Sequence, residues 1–292
     1  MTRFPICALR SVALDTPNLA KSEAFYTEEW GLRVSARDEG VVYLRASGDD
    51  HHVLALHAGE RSALRETAFR VEAEADLAGI AARAEGCTIL PNPAADPAGG
   101  VCLTLREPRG MTLRFVHGDV RHSDAAMVAN VPLRLAHVNV NSVDVDATSA
   151  FYQSVLGFKL TDRSKLMAFV RCNADHHAVV IAEAPVNGLN HVAFLLPDLE
   201  SVMRGSGRLV HAGYPIGWGV GRHGPGDNVF AYFVDPLGVV VEYTAEVLQV
   251  DDSYRFRGPD EWRWPPGRTD HWGIAPPKPE HVKQAQLAVP FV

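Results

Sequence analysis

His137-Val138-Asn139-Val140-Asn141 leads through a helical pattern to Ala150-Phe151-Tyr152 and then to Leu156-Gly157-Phe158. The same order occurs once before: Ser11-Val12-Ala13-Leu14-Asp15 leads to Ala24-Phe25-Tyr26 and then to Trp30-Gly31-Leu32, at an offset of 126 residues. Downstream, Asp50-His51-His52-Val53 matches Asp175-His176-His177-Ala178, and Ala68-Phe69 matches Ala193-Phe194, at an offset of 125. One single-residue gap therefore aligns the two halves. Glu107-Pro108-Arg109-Gly110 matches Asp235-Pro236-Leu237-Gly238, a proline-glycine turn in both. Self-similarity of this kind marks a duplicated structural unit.

Each half reads strand, helix, several strands, and then that order again, which is a pair of βαβββ modules. The first helices stop where Gly31 and Gly157 follow the last periodic residue. Ala78, Ala81, Ala82 and Ala84 suit a second helix between Asp76 and Glu85, with Leu199 to Ala212 as its counterpart. The expected fold is α+β: two duplicated domains, residues 1–120 and 133–250, joined by a linker within Asp119 to Pro132. The tail, residues 251–292, belongs to neither repeat and carries Trp262, Trp264, Trp272, Pro265-Pro266 and Pro276-Pro277. Its prolines argue against a regular helix or a central strand. The tail is expected to wrap over the second half as a packing strap, or to lid a pocket there with Trp272 close to the pocket's occupant.

A chain of 292 residues, 47% hydrophobic, buries a sizeable core. A net charge of -7 does not suit a nucleic-acid binder. No apolar run approaches the roughly 20 residues that span a bilayer, and Met1 to Arg10 lacks the apolar core of a secretory leader. The four cysteines are scattered without a CxxC pair, so a reduced, cytoplasmic protein without disulfides is expected.

Strand side chains alternate, so His137, Asn139 and Asn141 share one face of an otherwise apolar strand. His191 stands alone in Leu189-Asn190-His191-Val192-Ala193-Phe194, and Glu242 ends the run Val239-Val240-Val241. A carboxylate there needs a partner, because an unpaired buried charge is costly. Two histidines and one carboxylate from three strands fit the 2-His-1-carboxylate arrangement of non-haem iron, with open positions. A single strand histidine is more often a hydrogen-bonded core residue, but three ligand-type side chains in one half weigh against that reading. The duplication supplies a control. The counterparts of His137, His191 and Glu242 are Ser11, Glu66 and Arg114, so packing of the unit does not demand the ligand set. His52 persists in the first half, so its counterpart His177 is not diagnostic alone.

The series Gly221-x-His223, Tyr232, Asp235-Pro236-x-Gly238 and Glu242 resembles the signature of type I extradiol ring-cleaving dioxygenases of the vicinal oxygen chelate superfamily. The resemblance runs from Ser11 to about Tyr243, with one departure: Ala231 stands where the family has a larger apolar residue. It implies Fe(II), with Mn(II) as the other option, held by His137, His191 and Glu242. It implies an acid/base histidine at His177, with His176 facing away, and substrate contacts from Tyr232 and His223. Asn139 resembles a pocket residue of the homoprotocatechuate-cleaving branch. Of that branch's paired arginines before Asp270-His271-Trp272-Gly273, only Arg268 remains, which puts a carboxylate-bearing substrate in doubt. The implied activity is opening of a catechol-type ring, vicinal dihydroxy or trihydroxy, with O2 in aromatic-compound degradation, by a homo-oligomer and commonly a tetramer. The competing readings are another metal-dependent member of the superfamily, of glyoxalase or thiol-transferase type, and a metal-free aromatic-binding protein on the same scaffold.

Overall fold

The computed structural model describes residues 4–91 and 96–292; residues 1–3 and 92–95 lie outside the description. In the first half, β1 (Ile6–Thr16), α1 (Leu19–Ala24), β2 (Arg33–Asp38), β3 (Val41–Arg45) and β4 (Leu54–Ala58) form one βαβββ module. A second follows: β5 (Ala63–Val71), α2 (Glu74–Arg83), β6 (Thr88–Leu90), β7 (Val101–Arg106) and β8 (Thr112–His117). The two modules join through the antiparallel β1–β5 pair into one eight-stranded sheet, ordered β2-β3-β4-β1-β5-β8-β7-β6.

The second half repeats this with β9 (Arg134–Ser142), α3 (Val145–Ser154), β10 (Lys159–Arg163), β11 (Met167–Arg171) and β12 (Val179–Glu183). Then come β13 (Gly188–Leu195), α4 (Leu199–His211), β14 (Trp218–Arg222), β15 (Val229–Val234) and β16 (Val240–Ala245). Its order is β10-β11-β12-β9-β13-β16-β15-β14, the same order as in the first sheet. The α+β tandem arrangement expected from the repeats is the one observed. Gly31 and Gly157 both take positive φ just after their helical segments, a backbone conformation that excludes most other residues.

The halves are locked by aromatic residues of the first reaching into the second. Trp30 is fully buried, stacks on Tyr243 at 3.8 Å between centroids and meets Phe194 edge-on. Tyr243 Oη donates to the Trp30 carbonyl. Tyr26 Oη donates to Asp235 Oδ2 at 3.0 Å, while Asp235 Oδ1 accepts from the backbone N–H groups of Leu237 and Val239 at 2.8 Å each. The first half thus braces the Asp-Pro-Leu-Gly turn that launches β16 and carries Glu242.

The tail corrects one expectation. It contains a short helix, α5 (Glu280–Ala285), which begins only after Pro279 at its N-cap, so the prolines stop interfering at its first turn. Beyond it, the Leu189 N–H donates to the Val289 carbonyl and the Leu64 N–H to the Pro290 carbonyl, both at 2.8 Å, tying the chain end to both sheets. Trp30→Ala removes a fully buried indole shared by both halves and is expected to cost about 3–5 kcal/mol of unfolding free energy. Denaturant titration checks this; a loss near zero would mean that the halves do not depend on one another.

Candidate metal centre

Strands β9, β13 and β16 lie side by side. His137 pairs with Ala193, and Ala193 pairs with Glu242, while His191 pairs with Asn139 two positions along. Three buried ligand-type side chains therefore converge on one face. His137 Nε2 lies 3.2 Å from His191 Nε2 and 3.4 Å from Glu242 Oε2; His191 Nε2 lies 3.0 Å from Glu242 Oε2. Among the described residues this is the metal-ligand set whose donor atoms converge.

The hydrogen-bond network around His191 decides what these contacts mean. The Gln286 carbonyl can only accept, so the amide nitrogen of Asn141 faces it, at 2.6 Å. Asn141 Oδ1 then accepts from Asn190 Nδ2 at 2.8 Å, which leaves Asn190 Oδ1 as an acceptor. Asn190 Oδ1 receives Gln286 Nε2 at 2.6 Å and His191 Nδ1 at 2.8 Å. His191 therefore carries its proton on Nδ1, and Nε2 presents a bare lone pair. Burial pushes the His191 imidazole down to about 4, so the ring is neutral.

Glu242 is fully buried, and neither of its oxygens has a hydrogen-bond partner. Burial pushes the Glu242 carboxyl up, and it is held well below its ordinary range only where His137 and His191 turn a proton or positive charge toward it. A lone pair and a carboxylate oxygen at 3.0 Å in a dry interior repel unless a proton or a metal cation lies between them. Donor atoms at about 2.1 Å from an ion, set at right angles, sit roughly 3 Å apart. The three observed separations match that spacing, and two imidazoles with one carboxylate form the facial donor set of non-haem iron. The residues present fit a divalent metal.

Around this cluster, the Tyr232 hydroxyl and His223 Nε2 are 3.1 Å apart, and His223 Nε2 is 3.8 Å from Glu242 Oε1. Tyr232 sits directly across from Glu242 on β15. Burial, then the Glu242 charge, raises the Tyr232 phenol well above its ordinary value, so it stays protonated. Burial lowers His223 to about 3 and lowers His177 well below its usual value, so both are neutral. The His177 ring lies 4.5 Å from that of His137. Asn139 is buried on the same face, and its Oδ1 has no partner.

Two sequence-selected residues are not brought to the cluster. Arg268 is exposed in a turn, its N–H bonded to the Pro265 carbonyl. Trp272 is 38% exposed and lies under the Arg222 guanidinium at 5.0 Å. The tail contributes Lys278 instead: its amine lies 4.4 Å from the Trp218 ring centroid and 5.3 Å from that of Tyr232, and it donates to Gln286 Oε1 at 3.0 Å. Burial brings this amine down to about 8, against the pull of Glu242. Sequence reading missed Lys278 and Gln286 because a proline-rich tail has no periodicity to place them. It missed Asn190 because a bulge between Leu189 and His191 turns adjacent side chains to the same side.

The first half shows what replaces the cluster. Ser11 pairs with Ala68, and Ala68 with Arg114, the same register as His137, Ala193 and Glu242. Arg114 bridges Glu66 at 2.9 Å and Asp96 at 3.2 Å. A guanidinium supplies the positive charge there.

Comparison with known proteins gives the family. Residues 134–243 match the family described as Glyoxalase/Bleomycin resistance protein/Dioxygenase superfamily. The chain is 30% identical to Metapyrocatechase 2 of Cupriavidus necator over 84% of this chain and 82% of that one. It is 24% identical to the Iron-dependent extradiol dioxygenase of Rhodococcus jostii, over 77% of this chain and 86% of that protein. Among solved structures, the Mn(II)-bound glyoxalase from Novosphingobium aromaticivorans superposes with a TM-score of 0.88 at 31% identity, covering 96% of this chain and 94% of that one.

Asn190→Ala removes the acceptor that fixes His191 and should weaken divalent-metal affinity roughly 10–100-fold. Competition with a chromophoric chelator measures it; unchanged affinity would mean that the amide chain does not orient the ligand.

Proposed function

This chain belongs to the Glyoxalase/Bleomycin resistance protein/Dioxygenase superfamily and, within it, to the extradiol ring-cleaving dioxygenases, and we propose that it opens the ring of a catechol-type substrate with O2 through the site residues named above. His137, His191 and Glu242 hold the metal, Fe(II) or Mn(II), the metals named for its relatives. Bound there, the metal supplies open coordination positions and a redox-active centre shared by the aromatic diol and O2.

The protein's own groups do the rest. Tyr232, protonated at neutral pH, donates its hydroxyl to a substrate oxygen, and His223 beside it fixes that hydroxyl's direction. Asn139 offers its unpartnered Oδ1 to the remaining hydroxyl proton. His177, neutral and packed on His137, accepts a proton from the diol and returns it later in the reaction. General acid–base help of this kind contributes about 10²–10⁴-fold. The product is a ring-opened semialdehyde or 2-hydroxymuconate-type acid that carries both oxygen atoms. Lys278 puts a cation over Tyr232, which suits a substrate carrying an anionic substituent. A homo-oligomer, with a tetramer favoured, and a cytoplasmic location complete the reading.

The observation that carries this reading is the His223–Tyr232 pair aimed at Glu242. A metal-dependent glyoxalase, the description of one close structural match, would leave that pair without a task. The test is a panel of neutral and carboxylated catechols with Fe(II)-loaded protein, following O2 uptake and the yellow ring-fission product together. Uptake equimolar with product is expected. Isomerisation of a hemithioacetal without O2 uptake would favour the glyoxalase reading. His137→Ala, His191→Ala and Glu242→Ala should each lose metal loading, and full activity in any one of them contradicts the ligand assignment. Lys278→Met should raise KM for a carboxylated catechol more than for catechol itself; equal effects would remove the anion role.

A further inference from the structure

His177 does not stand alone. Its Nδ1 is 3.1 Å from Nδ1 of His176, and His176 Nε2 is 2.7 Å from Asp162 Oδ2. Asp162 and His176 are both completely buried. Asp162 also accepts the Tyr254 hydroxyl at 2.9 Å on Oδ2 and the Arg257 N–H at 2.8 Å on Oδ1, both from the tail. Both carboxylate oxygens are thus engaged as acceptors. The expectation that His176 merely faces away from the site leaves this carboxylate without a purpose.

We propose that Asp162 and His176 are positioning residues that fix the tautomer and orientation of His177. The inference rests on the reading of His177 as the acid/base. An acceptor-only carboxylate requires a His176 proton on Nε2, and with that single ring proton His176 offers a lone pair at Nδ1. His177 Nδ1–H donates to it, and His177 Nε2 is left bare, ready to take a proton from substrate. The second partner in such a chain matters because the wrong tautomer has no lone pair where the reaction needs one. The ring fits because residue 226 is glycine: a Cβ added there would lie 2.7 Å from His177 Cε1.

The duplication again supplies the control. The first half keeps the pair, with His51 Nδ1 3.1 Å from His52 Nδ1. At the position of Asp162 it has Ala36; Ala36 pairs with Tyr43 as Asp162 pairs with Phe169. His52 Nδ1 meets Arg10 Nη2 at 3.4 Å instead, and a guanidinium can only donate. There His52 Nδ1 must accept, the opposite sense to His177. The histidine pair belongs to the scaffold. The carboxylate that polarises it toward a base occurs in the half that has the metal ligands.

The experiment uses the full-length chain. Imidazole ¹⁵N chemical shifts of metal-free and Zn(II)-loaded protein, assigned with His176→Gln and His177→Gln, read each tautomer directly. The expected result is a proton on Nε2 of His176 and on Nδ1 of His177. A proton on Nε2 of His177 overturns the proposal. Asp162→Asn keeps the shape but can donate to His176 Nε2, which inverts both tautomers. It should lower kcat roughly 10²–10⁴-fold with metal content and KM unchanged. Wild-type kcat in a folded, metal-loaded Asp162→Asn protein also overturns it. If no catechol is turned over by the wild type, the assigned reaction fails, while the ¹⁵N shifts still decide the tautomers.

Discussion

Two acceptors face each other at 3.0 Å in the interior of this protein: the lone pair of His191 Nε2 and an oxygen of ionised Glu242. Within the protein only a shared proton would relieve that contact, and neither Glu242 oxygen has another hydrogen-bond partner. A divalent ion at that point turns repulsion into coordination. Much of the surrounding structure serves to hold the contact. Asn190, Asn141 and Gln286 fix the imidazole, and the braced Asp235 turn fixes the strand that presents the carboxylate. The tail takes part in this, because Gln286 comes from the end of α5.

The duplicated half shows how little the fold depends on that chemistry. Eight strands pair in the same order with the same register, yet Arg114 with Glu66 and Asp96 replaces the ligand set. An ion pair satisfies the buried charges there from within the chain. In the second half Glu242 has histidines at ion-pair distance among the described residues, and a bound cation would satisfy its charge. The first half has a packing role: its Trp30 stacks on Tyr243 and its Tyr26 hydrogen-bonds Asp235 of the second.

Much of this was legible in the sequence, for physical reasons. Duplicated β-modules leave a repeat, and polar residues stand out in strands whose alternation is otherwise apolar, as His137, His191 and Glu242 do. The interior of the repeat also carried its own comparison in Ser11, Glu66 and Arg114. What was not legible depends on local irregularity or on chain that has no period. The bulge at Asn190 breaks the alternation rule. Lys278 and Gln286 lie in the tail, where Trp272 and Arg268 drew attention by composition but ended on the surface. Asp162 also follows a bulge, between Leu160 and Asp162 on β10, so its direction could not be read from alternation.

In the second half alone, among the described residues, two imidazole nitrogens and one carboxylate oxygen are placed to share a divalent ion. X-ray absorption at the metal edge of the Fe(II)-loaded protein tests it most directly, with Glu242→Ala as the comparison. One metal per chain, with two imidazole scatterers among light-atom ligands, is expected. A first shell without imidazole nitrogen, or a second metal of equal occupancy in the same chain, would contradict it.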